Sequence, residues 1–244
     1  MSESVKVPPE FAGQDWSEWM AKCEDGEVRM CGLKPRELPC GLLVPEWYET
    51  NESCPLVPRD QWATTPDMRP YEWNNRYQNG FPSCCLNSIV GAAEFLMPIK
   101  GFAKTALDWL AFWKEVTGGR GGAAVDRALQ VAMTKGIPLK DGSGRILITE
   151  AWDVPSLEAL ASGLQRGAMA VSCHDVHAEC TVGLVMQGNT PYVQMVNSHY
   201  EGLGGQNWLL FPLAKVELST YGALLIREIE FRLVDSAGLI DVKE

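Results

Sequence analysis

Positive charge is scarce in this chain of 244 residues: 21 lysines and arginines stand against 31 aspartates and glutamates, for a net charge of -10 and an isoelectric point near 4.9. A polyanionic partner needs clustered Lys and Arg, so neither nucleic acid nor an anionic membrane surface is expected to bind. Long apolar runs are missing too. A long stretch without Asp, Glu, Lys or Arg, residues 181–200, is interrupted by QGNTP and reads as two strands around a turn rather than as the ~20 apolar residues that cross a bilayer. The opening MSES has neither the basic start nor the apolar run of an export signal, which makes the cytoplasm the expected location. Cysteine is sparse, at positions 23, 31, 40, 54, 84, 85, 173 and 180 and without a C-x-x-C pair, which excludes a disulfide scaffold and leaves free thiols as the expectation. No internal repeat or low-complexity tract is found.

What the sequence does contain is an ordinary globular composition, 46% hydrophobic and 21% charged, in a chain long enough to bury a proper core. Residues 1–55 stand apart. They carry 11 acidic and 5 basic residues, half of the cysteines, and prolines at 8, 9, 35, 39 and 45 that break any long regular element. Trp16, Trp19 and Trp47 need burial, so we read residues 1–55 as an appendage docked on something, and residues 56–244 as the main domain.

From Ser83, the expected N-cap, Leu86, Ile89, Val90 and Ala93 recur at helical spacing up to Pro98. Further helices are predicted near 104–116, 124–135 (closed by Gly136 in a left-handed cap) and 156–166. Beyond Gly167 the period becomes two, with strands predicted near 168–174, 177–187, 192–197, 208–211 and 225–233. Helices first and strands second argue for an α+β fold with a cleft between a helical half and an antiparallel half.

The run YQNGFPSCCLNSIVGAAE, residues 77–94, carries the chemistry. A thiol at the first position of a helix feels unpaired backbone N–H groups and the positive end of the helix dipole, both of which favour thiolate; Cys84 is therefore a candidate nucleophile. Gln78, six residues earlier across a Gly-Pro-containing turn, can bring its amide beside the Cys84 N–H as a second oxyanion donor. His177 at the start of a strand is the candidate proton carrier, and Asn197 the amide that fixes its tautomer; Asp175 is the rival orienter.

These residues resemble the papain-like cysteine peptidases. Gln78, Ser83 and Cys84 with Ser88 and Glu94 along the helix match the family's nucleophile segment. GGRGGAAVDRALQVAMTKGI (118–137) resembles its glycine-rich segment and following helix, HAECTVG (177–183) its His-Ala-x-x-x-Val-Gly, and NSHYEGLGGQNWLLF (197–211) its Asn-Ser-Trp-Gly segment. The resemblance implies a two-lobed fold, a helical half plus a barrel-like antiparallel half with an N-terminal appendage. It also implies a thiol-dependent endopeptidase with Cys84 as nucleophile, His177 as general base and acid, Asn197 as its orienter and Gln78 as oxyanion donor. Gly121 and Gly122 would pair with an extended peptide substrate, and no cofactor is implied. LVPRDQW (56–62) is similar to the start of the mature enzyme domain. Cys85 and His199 stand where the family usually has tryptophan, and Phe81 where it has a disulfide cysteine, in keeping with a reducing compartment. Cys84 and His177 are 93 residues apart, against the roughly 130–150 of papain-type enzymes, so loops around the cleft are trimmed.

Plainer roles compete for some of these residues. Cys85 reads as a small core hydrophobe, and Trp109, Phe112 and Trp113 as core or interface residues. Cys173-His174-x-x-His177-x-x-Cys180 imitates a zinc site, but strand alternation turns His177 and Cys180 to opposite faces, so no metal is expected. The glycines at 118–122 lack the ending of a phosphate loop. Two further functions stay open. The fold can serve as a structural or binding part of a larger assembly such as a virus particle, with little or no catalysis, or it can cleave amides in peptidoglycan cross-links. For residues 1–55, the five prolines before residue 50 favour docking and recruitment of a protein partner over a helical, cleft-covering propeptide.

Overall fold

The computed structural model describes residues 20–22, 28–30, 33–35, 54–74, 81–174, 177–198, 207–218, 220–235 and 238–241. Four helices are present among them: α1 (Cys84–Ile99), α2 (Trp109–Thr117), α3 (Val125–Thr134) and α4 (Leu157–Gln165). A short hairpin pairs β1 (Met20–Lys22) with β2 (Val28–Met30). The main sheet is antiparallel, in the order β3 (Ile137–Pro138), β4 (Gly144–Asp153), β9 (Leu224–Asp235), β5 (Met169–His174), β6 (His177–Gln187), β7 (Thr190–Val196), β8 (Trp208–Pro212), with β10 (Gly238–Asp241) paired to β9. The architecture is α+β, as expected.

The structure corrects three points of detail. The half expected to be barrel-like is an open sheet, with β3 and β8 at its two ends. Strands do not all follow the helices, because β3 and β4 precede α4. β4 escapes the alternation rule because bulges between Ile148 and Ala151 shift its phase: Ile146, Ile148 and Ala151 enter one core cluster and Trp152 the other. Finally, α1 runs one residue past Pro98, which sits in its last turn, and α2 starts only at Trp109, where the Asp108 side chain accepts from the Ala111 N–H.

Two apolar clusters flank the sheet. The larger lies under α1, α2 and α3 and takes Val171, Cys173, Ala178, Cys180 and Val182 from β5 and β6. The smaller lies under α4 and takes Ala170, Leu184, Val193, Met195 and Leu225 from the opposite face. Helix α4 is seated at Gly163, where an added Cβ would come within 2.3 Å of Leu225 Cδ1. The segment from Cys54 belongs to this body: Cys54 is buried in the smaller cluster, Val57 N–H donates to Ser162 Oγ, and Thr65 exchanges bonds with the Leu184 backbone, N–H to carbonyl (2.8 Å) and Oγ1 accepting from Leu184 N–H (3.0 Å).

Candidate active site

Cys84 is the first residue of α1, and α1 packs on β5 and β6. Ser83 takes the N-cap position without a side-chain cap; instead Asn87 Nδ2 donates to both its carbonyl (3.2 Å) and its Oγ (2.9 Å), and Ser88 Oγ donates to the Cys84 carbonyl (2.8 Å). The first turn is thus locked by side chains, with Cys84 at the end where the dipole is positive. Its neighbour Cys85 points into the core. Burial pushes the Cys85 thiol well above its ordinary range, with Cys84, Cys173 and Asp126 adding in the same direction, so it is an inert packed thiol. Cys173 is raised in the same way, first by burial and then by Cys84, Glu179 and Glu217. None of the cysteines at 54, 84, 85, 173 and 180 is in a disulfide.

His177 opens β6, opposite His174 in the β5–β6 register, and is buried. Its Nε2 donates to Asn197 Oδ1 at 3.2 Å. Asn197 is held in turn: its backbone N–H donates to the Asn207 carbonyl at 2.7 Å, and Glu72 accepts from Asn207 Nδ2 and Trp208 Nε1, both at 2.7 Å. Trp208 meets Phe95 of α1 edge to face, which ties this corner of the sheet to the helix that carries Cys84.

The glycine segment is fixed from below. Trp113, wholly buried, donates its indole N–H to the Gly121 carbonyl at 2.9 Å and packs edge to face on Phe81, just before the nucleophile. Gly121 has φ +63°, a backbone conformation that side chains disfavour. One residue beyond Gly122, Ala123 forms a parallel bridge with Leu33, and its carbonyl accepts from the Lys34 N–H at 3.1 Å. Leu33 is buried in the same cluster as Cys84.

The structure therefore joins His177 to Asn197 directly, and α1 sets Cys84 against the strand pair that carries His177. Gln78, Asp175 and His199 lie outside the described residues. Glu94, buried on α1, anchors the approach to the nucleophile loop by accepting from Asn74 Nδ2 (2.7 Å) and the Leu107 N–H (3.2 Å). Sequence reasoning missed Glu179. Its side chain is fully buried, with Oε2 3.1 Å from His174 Nε2 and Oε1 3.7 Å from His177 Nε2. The signal was there in His177, Glu179 and Thr181, alternate polar residues in a strand whose other positions are apolar.

No family model matches the chain, and no curated protein matches its sequence. Solved structures match by shape. Digestive procathepsin L 3 of the Tenebrio molitor larval midgut is 16% identical over 80% of this chain and 74% of its own, with a TM-score of 0.56. Xylellain, a cysteine protease from Xylella fastidiosa, is 11% identical over 81% of this chain and 97% of its own (TM-score 0.52), and procathepsin B from Trypanosoma congolense is 12% identical over 91% and 98% (TM-score 0.53). On these likenesses, the chain has the fold of the papain-like cysteine peptidases.

Proposed function

We propose that this protein is a cysteine peptidase that hydrolyses peptide bonds through Cys84, His177 and Asn197. The observation that carries this reading is the His177 Nε2 to Asn197 Oδ1 bond, made beside a helix that begins at Cys84 in a papain-like fold. With Nε2 committed to Asn197, Nδ1 is the nitrogen that takes the Cys84 proton and later returns it to the leaving amine. The thiolate attacks the peptide carbonyl, the Cys84 N–H and the Gln78 amide hold the developing oxyanion, and water clears the acyl-enzyme. An extended peptide would pair with the backbone at Gly121 and Gly122.

Cys84 has 0% relative exposure. Together with the bridge from Leu33 to Ala123, this favours a covering role for the appended segment over recruitment: substrate enters the groove by displacing residues 33–35. The test is a thiol-directed epoxide probe read by intact mass and peptide mapping. Wild type should be labelled at Cys84, Cys84→Ala should not be labelled, and removal of residues 1–53, which spares the buried Cys54, should raise peptide hydrolysis tenfold or more. Probe adducts on Cys85, or none at any cysteine after removal of the segment, would overturn the reading in favour of a non-catalytic component of a larger assembly.

A further inference from the structure

Behind His177 lies a buried carboxylate that the Cys-His-Asn set does not use. Glu179 has 0% side-chain exposure, and neither of its oxygens makes a well-aligned hydrogen bond, although Oε2 lies 3.1 Å from His174 Nε2 and Oε1 3.7 Å from His177 Nε2. The contacts are thus of charge more than of hydrogen-bond geometry. A buried carboxylate is retained only when something compensates it. No lysine or arginine is paired with Glu179 among the described residues, and the two imidazoles are its charge partners. Its position follows from the pairing: Ser172 lies opposite Glu179 and His174 opposite His177, which places both histidines and the carboxylate on one face of the β5–β6 pair. Phe211 lies against the His174 ring, with centroids 4.5 Å apart, and holds that ring in place.

A carboxylate only accepts hydrogen bonds, whereas an asparagine side chain offers an oxygen at one end and an NH₂ at the other. Asn197 alone therefore leaves the His177 tautomer open to a side-chain flip; a carboxylate beside the same nitrogen does not. Resting on the peptidase reading above, we propose that Glu179 is a positioning residue of this site: its carboxylate keeps the proton of His177 on Nε2 and favours the imidazolium, while His174 shares its charge. In the step concerned, the Cys84 S–H bond breaks and an Nδ1–H bond forms on His177. The products are thiolate and imidazolium, with no net change in charge. The negative charge near Nε2 stabilises the imidazolium more than the more distant thiolate is destabilised. Of the other ionisable groups at the β5–β6 pair, His174 lies opposite His177, and Cys84 and Glu217 act on Cys173, whose carbonyl accepts from the Glu217 N–H (2.8 Å). Glu72 is bound by Asn207 and Trp208.

Imidazole nitrogen NMR of the full chain tests this without any need for hydrolysis, since the chain has three histidines and His199 can be substituted to assign the signals. Wild type should show neutral His177 with its proton on Nε2. Glu179→Gln should move the His177 titration to lower pH and slow iodoacetamide labelling of Cys84 at pH 7 by about tenfold. His174→Gln removes the competitor for the carboxylate and should move the titration the other way, to higher pH. Opposite shifts of this kind are not produced by a structural defect, and the His174 variant and the wild-type tautomer decide the question if Glu179→Gln does not fold. A neutral His177 with its single proton on Nδ1, an unmoved titration, or shifts in the same direction in both variants would overturn the proposal. If the shifts appear but no peptide is cleaved, the peptidase reading fails and the proposed electrostatics stand.

Discussion

One face of β5, β6 and β7 is built in two ways along its length. Under α4 it is dry: Ala170, Leu184, Val193 and Met195 pack on Leu160 and Leu164. A few residues along the same strands, Ser172, His177, Glu179, Thr181 and Asn197 are just as buried and none of them is apolar. The dry end gains about 25 cal/mol for each Å² of apolar surface removed from water. The polar end gains nothing comparable and costs free energy wherever a partner is imperfect. A fold keeps such an end where the residues have another task, and this one carries the His177–Asn197 pair.

Substitutions can break or sharpen that contrast. The largest effect is expected at the nucleophile: Cys84→Ala should lower kcat/KM for a peptide by at least about 10³-fold, with the thermal melting curve unchanged, whereas Cys85→Ala should keep its activity. Gln78→Ala should reduce turnover by about 10²–10³ while leaving thiol alkylation nearly intact, because the amide serves the oxyanion and not the resting thiolate. Equal losses in both assays would point to misfolding.

At the dry end, Leu160→Ala removes a wholly buried side chain and should cost about 2–5 kcal/mol of stability in urea titrations, with little change in Cys84 labelling. At the polar end, the closely apposed hydroxyls of Ser172 and Thr181 offer a sharper comparison. Ser172→Ala alone leaves a buried hydroxyl without its partner and should cost about 1–3 kcal/mol, while Ser172→Ala with Thr181→Val should recover most of that loss. A double variant weaker than the single would show that the polarity of this end is structural. The smallest effect belongs to the surface. Lys100→Ala breaks a half-exposed pair with Glu228 and should change stability by less than about 1 kcal/mol.

Much of this was legible in the sequence because it rests on local rules. The start of α1 at Cys84 followed from its helical period and the Ser83 cap position, and the left-handed Gly136 (φ +77°) after α3 followed from glycine's freedom at a helix end. β5, β6 and β8 were read within about a residue at each end because alternation and turns mark them. β4 was not legible, since the bulges between Ile148 and Ala151 break its alternation. Glu179 was visible as a residue but not as part of the site. Nothing local says that a carboxylate two positions from His177 is shut away from water beside two imidazoles; that needs the register between β5 and β6. The pairing of Leu33 with Ala123 likewise joins positions 90 residues apart.

That pairing has a consequence for how a ligand competes. Beyond Ala123 the ladder with Leu33 has no room to lengthen, because the chain turns into α3 at Val125. A single backbone hydrogen bond contributes about 1 kcal/mol net, so the latch is weak in itself. Its advantage is that it belongs to the same chain and so competes as an intramolecular contact. A dipeptide that offers the same single rung is outcompeted at ordinary concentrations. On the proposed peptidase reading, an extended chain long enough to engage Gly121 and Gly122 as well as Ala123 should compete better than a dipeptide, which a length series of unreactive peptides would measure.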